Sequence, residues 1–227
     1  MNIEVLDNPA QRCAELLADA AESGWHIALT GGSSPGKAYE LAAGADWSRA
    51  KVWWGDERCV EPNDERSNYL LAKESLLDRI SGDPPEVHRM RGERGPHVAA
   101  DDYERELRET LGEERPRLDL ILLGLGPDAH VASLFPGHAT LDVRDRVAVG
   151  EDEAGLQPYV PRVTLTLPTL CDGRHIVFLV TGAGKAEAVE RAFAGEPSRD
   201  APGSLVRPRA GDLTVLLDPA AAERLGG

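Results

Sequence analysis

The sequence is poor in cysteine, lysine and aromatic residues, and each shortage removes a class of protein. Its three cysteines, Cys13, Cys59 and Cys171, are odd in number and far apart. That spacing offers neither a disulfide framework nor the paired ligands of a zinc module, and it suits a reducing compartment. Lysine occurs only at Lys37, Lys51, Lys73 and Lys185, in a chain of formal net charge −14. So acidic a surface repels a phosphate backbone over most of its area, which argues against a nucleic-acid partner. A small anion can still bind where local cations overcome the general field, so a lysine beside a glycine turn carries weight. No apolar run approaches the roughly 20 residues of a membrane span. The opening "MNIEVLDNPAQRCAELLADAAESG" has no basic stretch followed by an apolar one, so no signal peptide is read there. A cytoplasmic protein without a membrane partner is expected.

Hydrophobic residues make up 41% of the chain and charged residues 28%, the balance of an ordinary globular protein. Residues 1–227 suffice for one large domain with its own core. Apolar runs rich in β-branched residues alternate with helix-period segments from end to end. Strands are expected at "HIALTGG" (26–32), "KVWWGDER" (51–58), "LDLILLGLG" (118–126), "HIVFLVTG" (175–182) and "LTVLLD" (213–218). Helices are expected near 9–23, 35–44, 67–80 (with Ser67 as N-cap), 97–112, 184–194 and 219–225. The stretches 93–97 and 136–161 read as loops, the second long enough to suspect a function. This alternation predicts an α/β fold with a mainly parallel, Rossmann-like sheet covered by helices on both faces.

In such a sheet, ligands bind beyond the carboxyl ends of the strands. Four expected strands end in chemically loaded turns: "TGGSS" (30–34), "GDER" (55–58), "GLGPDAH" (124–130) and "TGAGK" (181–185). "GLGPDA" formally fits a dinucleotide fingerprint, but Pro127 sits inside the turn and no strand beyond it ends in a suitably placed acid. "TGGSSPGK" places glycine backbone and serine hydroxyls at a helix start, an arrangement suited to an anion, although the order of a P-loop is absent. Taken alone, each turn is as well read as a solvated strand exit. Asp128 and His130 stand two residues apart, and a metal could be held by them with His138, a reading ranked below a metal-free site. Ser133 lies three residues beyond His130, so spacing alone leaves a Ser–His pair open. With Asp128 as N-cap and Val131, Leu134 and Phe135 at helical spacing, a short helix with negative φ is expected from Ala129.

The motifs "LTGGSSP", "WWGDER" with "NDERSNY", "LDLILLGLGPDAHVASLFPGH", "PRVTLTLPTL" and "VTGAGKAEAV" occur in one order over nearly the whole chain. Together they resemble the 6-phosphogluconolactonases, a branch of the glucosamine-6-phosphate isomerase superfamily. The deaminase branch shares the glycine turns and the D-x-H element but continues into an "FNEPG"-like segment, where this chain has "SLFPGH". The resemblance implies cofactor-free hydrolysis of the δ-lactone of 6-phosphogluconate in the oxidative pentose phosphate pathway. It implies His130 as general base, with Asp128 and Arg58 as its neighbours. Gly31, Gly32, Ser33, Arg162 and Lys185 would be the sugar-phosphate contacts. It implies a small-molecule partner only, in a monomer or weak homo-oligomer. Ala129 stands where the family usually has glycine, which we expect to reflect room for substrate. The alternatives are an aminosugar-phosphate deaminase or a sugar-phosphate-binding module without catalysis.

Overall fold

In the computed structural model, which describes residues 1–112 and 115–226, the apolar runs pair as a seven-stranded, all-parallel sheet. In chain order the elements are β1 (Asn2–Val5), α1 (Pro9–Glu22), β2 (His26–Leu29), α2 (Pro35–Ala42), β3 (Lys51–Trp54), β4 (Asp56–Arg58), α3 (Asn68–Ser75), β5 (Glu86–Val87) and α4 (Pro96–Leu111). They continue as β6 (Leu120–Leu123), β7 (Ala148–Glu151), β8 (Arg162–Leu165), α5 (Leu167–Asp172), β9 (His175–Val180), α6 (Ala186–Val189) and β10 (Asp212–Leu217). The main sheet runs β1-β10-β9-β6-β2-β3-β5. From β2 the chain first moves outward to β3 and β5, then returns to β6 on the other side. The β2–β6 boundary is therefore the topological switch point, where a crevice opens at the carboxyl ends of the strands.

Local chemistry explains the main elements. In α1, Asn8 caps the first turn by accepting from Gln11 N at 3.2 Å, and Pro9 occupies the position where a missing N–H costs nothing. Its Cys13, Ala14, Leu17, Ala20 and Ala21 recur at helical spacing and are buried. Ser67 caps α3 through Leu70 N, as expected, but the α-helix ends at Ser75 and only a 3₁₀ turn over Leu77–Arg79 follows. Gly112, at φ 64°, closes α4. All four residues of β6 are buried, as a central parallel strand requires.

Two buried tyrosines hold the strand exits that frame the crevice. The Tyr39 hydroxyl on α2 accepts from Thr30 N at 2.9 Å and donates to Thr30 O at 2.7 Å. The Tyr103 hydroxyl on α4 does the same at Trp54, at 2.8 and 3.0 Å. Each satisfies a backbone pair that the sheet has just released. Burial pushes both phenols far above their ordinary range, so they remain neutral donors and acceptors.

Several expectations are corrected. "KVWWGDER" is two strands, not one: after Gly55 the chain leaves the main sheet, and β4 joins an antiparallel sheet β4-β8-β7. The loop 136–161 contains β7 and a 3₁₀ turn over Ala139–Asp142. The segment 184–194 is a 3₁₀ turn, α6 and a π-turn in succession. Residues 219–225 form turns rather than a helix. No helix follows Asp128. Ala129 has φ 67° and Ala132 φ 49°, so the chain turns through two left-handed alanines around His130. The strands β1 and β5 were not anticipated.

Candidate active site

A cleft of about 190 Å³ opens at the switch point, small beside the 300 Å³ or more of a typical drug-sized pocket and suited to a compact metabolite. Gly31, Gly32, Ser33, Arg58, His130, Arg162 and Lys185 all line it. Asp128 reaches it through His130, to which it is bonded. All eight residues singled out in the sequence thus gather at one place, delivered by the exits of β2 and β6, the short strands β4 and β8, and the turn after β9.

His130 is held by its own turn. Asp128 Oδ1 lies 2.5 Å from His130 Nδ1 and also accepts from His130 N at 3.1 Å. Burial pushes the Asp128 carboxyl up, but the hydrogen bonds and charge of His130 outweigh it and hold the group below its usual range. It is therefore a carboxylate at neutral pH, and an acceptor at Nδ1 puts the ring proton there. Among the described residues, Nε2 has no protein partner. The left-handed backbone of Ala129 is pinned from outside by Gly203 N, which donates to Ala129 O at 2.9 Å.

Two cations line the same cleft without a carboxylate at ion-pair distance among the described residues. Arg162 is only 4% exposed, and its guanidinium donates to the carbonyls of Leu156, Pro158 and Val160. Burial lowers its pKa against the pull of Asp56, yet a guanidinium keeps its proton at neutral pH. Lys185 Nζ donates to Leu125 O at 2.7 Å, and burial likewise holds its pKa below the ordinary lysine value. Neither cation is in a direct ion pair among the described residues, although Asp56 and Asp128 act on them from farther off, and a half-desolvated cation without a direct partner favours an anionic ligand. Nearby, Gly31 and Gly32 precede α2; a Cβ on Gly31 would fall 1.8 Å from Asn68 Oδ1, so any larger residue there would have to displace the Asn68 amide. Arg58 donates from Nη1 to Arg66 O, while its buried Nε has no partner among the described residues.

Two residues that spacing left open beside His130 have other partners in the structure. Ser133 is fully buried and donates to Asp56 Oδ2 at 2.6 Å; its hydroxyl is not bonded to His130, and it does not line the cleft. His138 pairs through Nδ1 with Glu151 at 3.2 Å, away from Asp128. Among the described residues, no group of three or more histidine, cysteine, aspartate or glutamate side chains is placed to hold a metal.

Sequence reading missed Asp56, Asn68, Phe135 and Gln157 as cleft residues. Asp56 is 5% exposed and takes hydrogen bonds from both Ser133 and Asn68 Nδ2. Its signal lay in "GDER", where it resembled a solvated strand exit. Glu57 in that motif serves α3 instead: its carboxylate accepts from Ser67 Oγ, Asn68 N and Tyr69 N, which aims Asn68 at the cleft.

Fold and site together define an α/β protein whose switch-point cleft brings a carboxylate-held histidine together with Arg58, Arg162 and Lys185. The model of the family described as "Glucosamine-6-phosphate isomerases/6-phosphogluconolactonase" matches residues 2–215. A 6-phosphogluconolactonase of a Nostoc species is 39% identical over 88% of this chain and 84% of its own length. That of Streptomyces coelicolor is 37% identical over 92% and 85%. The solved 6-phosphogluconolactonase of Trypanosoma cruzi superposes with a TM-score of 0.85, covering 100% of this chain and 97% of its own, at 29% identity. The chain belongs to the family of glucosamine-6-phosphate isomerases and 6-phosphogluconolactonases.

Proposed function

We propose that the chain hydrolyses 6-phosphoglucono-1,5-lactone to 6-phosphogluconate, the hydrolytic step of the oxidative pentose phosphate pathway, with His130 as general base and without a cofactor. The observation that carries this reading is the 2.5 Å Asp128–His130 pair in one cleft with Arg162 and Lys185. With the proton on Nδ1 engaged by Asp128, the Nε2 lone pair faces the cleft and takes a proton from water as its oxygen attacks the lactone carbonyl. The resulting oxyanion is met by the Arg58 guanidinium, which lines the cleft. Collapse of the tetrahedral intermediate breaks the bond to the ring oxygen, which receives the proton back from His130. Arg162 and Lys185 hold the phosphate through charge-assisted hydrogen bonds, and Gly31, Gly32 and Ser33 approach the sugar. A lactone is activated enough that positioned water suffices, and the burial of Ser133 supports direct attack over an acyl-enzyme.

Purified protein supplied with fresh 6-phosphoglucono-lactone, corrected for spontaneous hydrolysis, tests the reading. Lactone turnover without ammonia release from glucosamine 6-phosphate is the expected result. Ammonia release without lactone turnover would place the chain on the deaminase side of its family.

A further inference from the structure

One neighbour of His130 has no part in the chemistry above. Phe135 is 1% exposed, lines the cleft, and sets its ring 4.7 Å from the imidazole at 45°. On its other side, the His138 ring lies 5.4 Å away. His138 is itself tied to buried Glu151, which also accepts from Thr140 Oγ1 at 2.5 Å. From the loop above, Gly155 packs so closely that a Cβ there would meet Phe135 Cγ and Cδ1 at 3.0 Å. The phenyl is thus packed by the His138 ring and by the backbone at Gly155.

An imidazole turns easily about its outer torsion, whose preferences are broad and two-fold. One hydrogen bond to Asp128 leaves rotation about that bond open, and packing must supply the rest. The phenyl does so while offering neither donor nor acceptor. Among the described residues, Asp128 thus remains the polar side-chain partner of the ring, and Nε2 keeps its lone pair for water.

We infer that Phe135 is a positioning residue for His130: an apolar wedge that fixes the imidazole plane and denies it a second polar partner. The inference rests on His130 acting as the base. It assigns the phenyl no contact with the phosphate, so substitution should act on kcat rather than KM.

Four variants, Phe135→Leu, Phe135→Gln, Phe135→Glu and His130→Ala, are compared by pH profile of lactonase turnover, with thermal unfolding as a check on folding. Phe135→Leu is expected to lower kcat by roughly tenfold, because the ring is freed to misorient, with KM and the acid limb unchanged. Phe135→Glu brings a carboxylate beside the imidazole and should move the acid limb of kcat/KM up by about 1 pH unit or more. If that variant does not fold, Phe135→Gln carries the test: a polar competitor of similar length should lower kcat further than Phe135→Leu does. Parental kcat in Phe135→Leu, or a rise in KM alone, overturns the inference. So does a parental acid limb in folded Phe135→Glu, or Phe135→Gln no slower than Phe135→Leu. His130→Ala separates the two failures: if it is as active as the parent, it is the base assignment that is wrong.

Discussion

The His130 imidazole fills the space where a side chain on Gly126 would begin: a Cβ built on Gly126 would lie 2.0 Å from His130 Nδ1 and 2.6 Å from Asp128 Oδ1. The turn after β6 is closed by Gly126 N donating to His130 O at 2.9 Å, so the glycine cannot retreat. Gly126→Ala is therefore expected to displace the imidazole from its carboxylate and lower kcat by roughly 10²-fold or more, the scale of a lost general base. The loss of stability should be about 1–3 kcal/mol, as for other overpacked sites. Kinetics beside a denaturant melt check this; a fully active alanine variant would show that the Asp128–His130 contact is dispensable.

At Ala129 the opposing effects nearly cancel. A left-handed alanine costs about 1–2 kcal/mol, which glycine would relieve. Glycine in turn gives up a buried methyl worth about 0.8 kcal/mol and adds roughly 0.5–1 kcal/mol of unfolded-state entropy. Ala129→Gly should thus stay within about 1 kcal/mol of the parent. Ala129→Val, β-branched at φ 67° with no exposed surface, should lose about 2 kcal/mol or more. Equal melts for the parent and the valine variant would contradict the left-handed turn.

Ser133 separates stability from chemistry. Its hydroxyl is the buried partner of the Asp56 carboxylate, so Ser133→Ala is expected to cost about 1.5–3 kcal/mol of stability. Most of the turnover should survive at temperatures where the variant remains folded. Mass spectrometry of quenched enzyme should find no acyl group on Ser133; an adduct there would overturn direct attack by water.

Lys185 predicts a pH dependence of binding. Burial disfavours its charged form, so the amine loses its proton at a lower pH than an exposed lysine. Affinity for 6-phosphogluconate, the stable product, should fall as pH rises toward the alkaline range, beginning below the ordinary lysine value of 10.5. Lys185→Arg should flatten that limb, while Lys185→Ala should weaken binding at every pH. An alkaline limb that persists unchanged in Lys185→Arg would assign it to another group.

The parts of the site that the sequence disclosed are those where one residue type has one physical use. The run Leu120–Leu123 reads as a buried strand because nothing polar interrupts it, and Gly124–Gly126 then marks a turn that must carry Asp128 and His130 outward. The backbone around them was hidden, since an alanine carries no mark of positive φ and Val131, Leu134 and Phe135 happen to fall at helical spacing. The second sheet was hidden because the charged run Asp56–Arg58 after Gly55 reads as the solvated exit of one strand rather than as the start of another. Residues 219–225 have helical composition, but Asp218 takes Gly182 N and Ala221 N, and the chain ends in turns around it. Phe135 carried no mark beyond its apolar spacing; its place against His130 comes only from the folded structure.

The central claim is that His130, held by Asp128, removes the proton from the attacking water. Steady-state hydrolysis of 6-phosphoglucono-lactone by His130→Ala, corrected for the spontaneous reaction and accompanied by a melt to confirm folding, measures it most directly. The account predicts a fall in kcat of roughly 10²–10⁴-fold with little change in KM. Turnover within a few-fold of the parent would remove His130 from the mechanism.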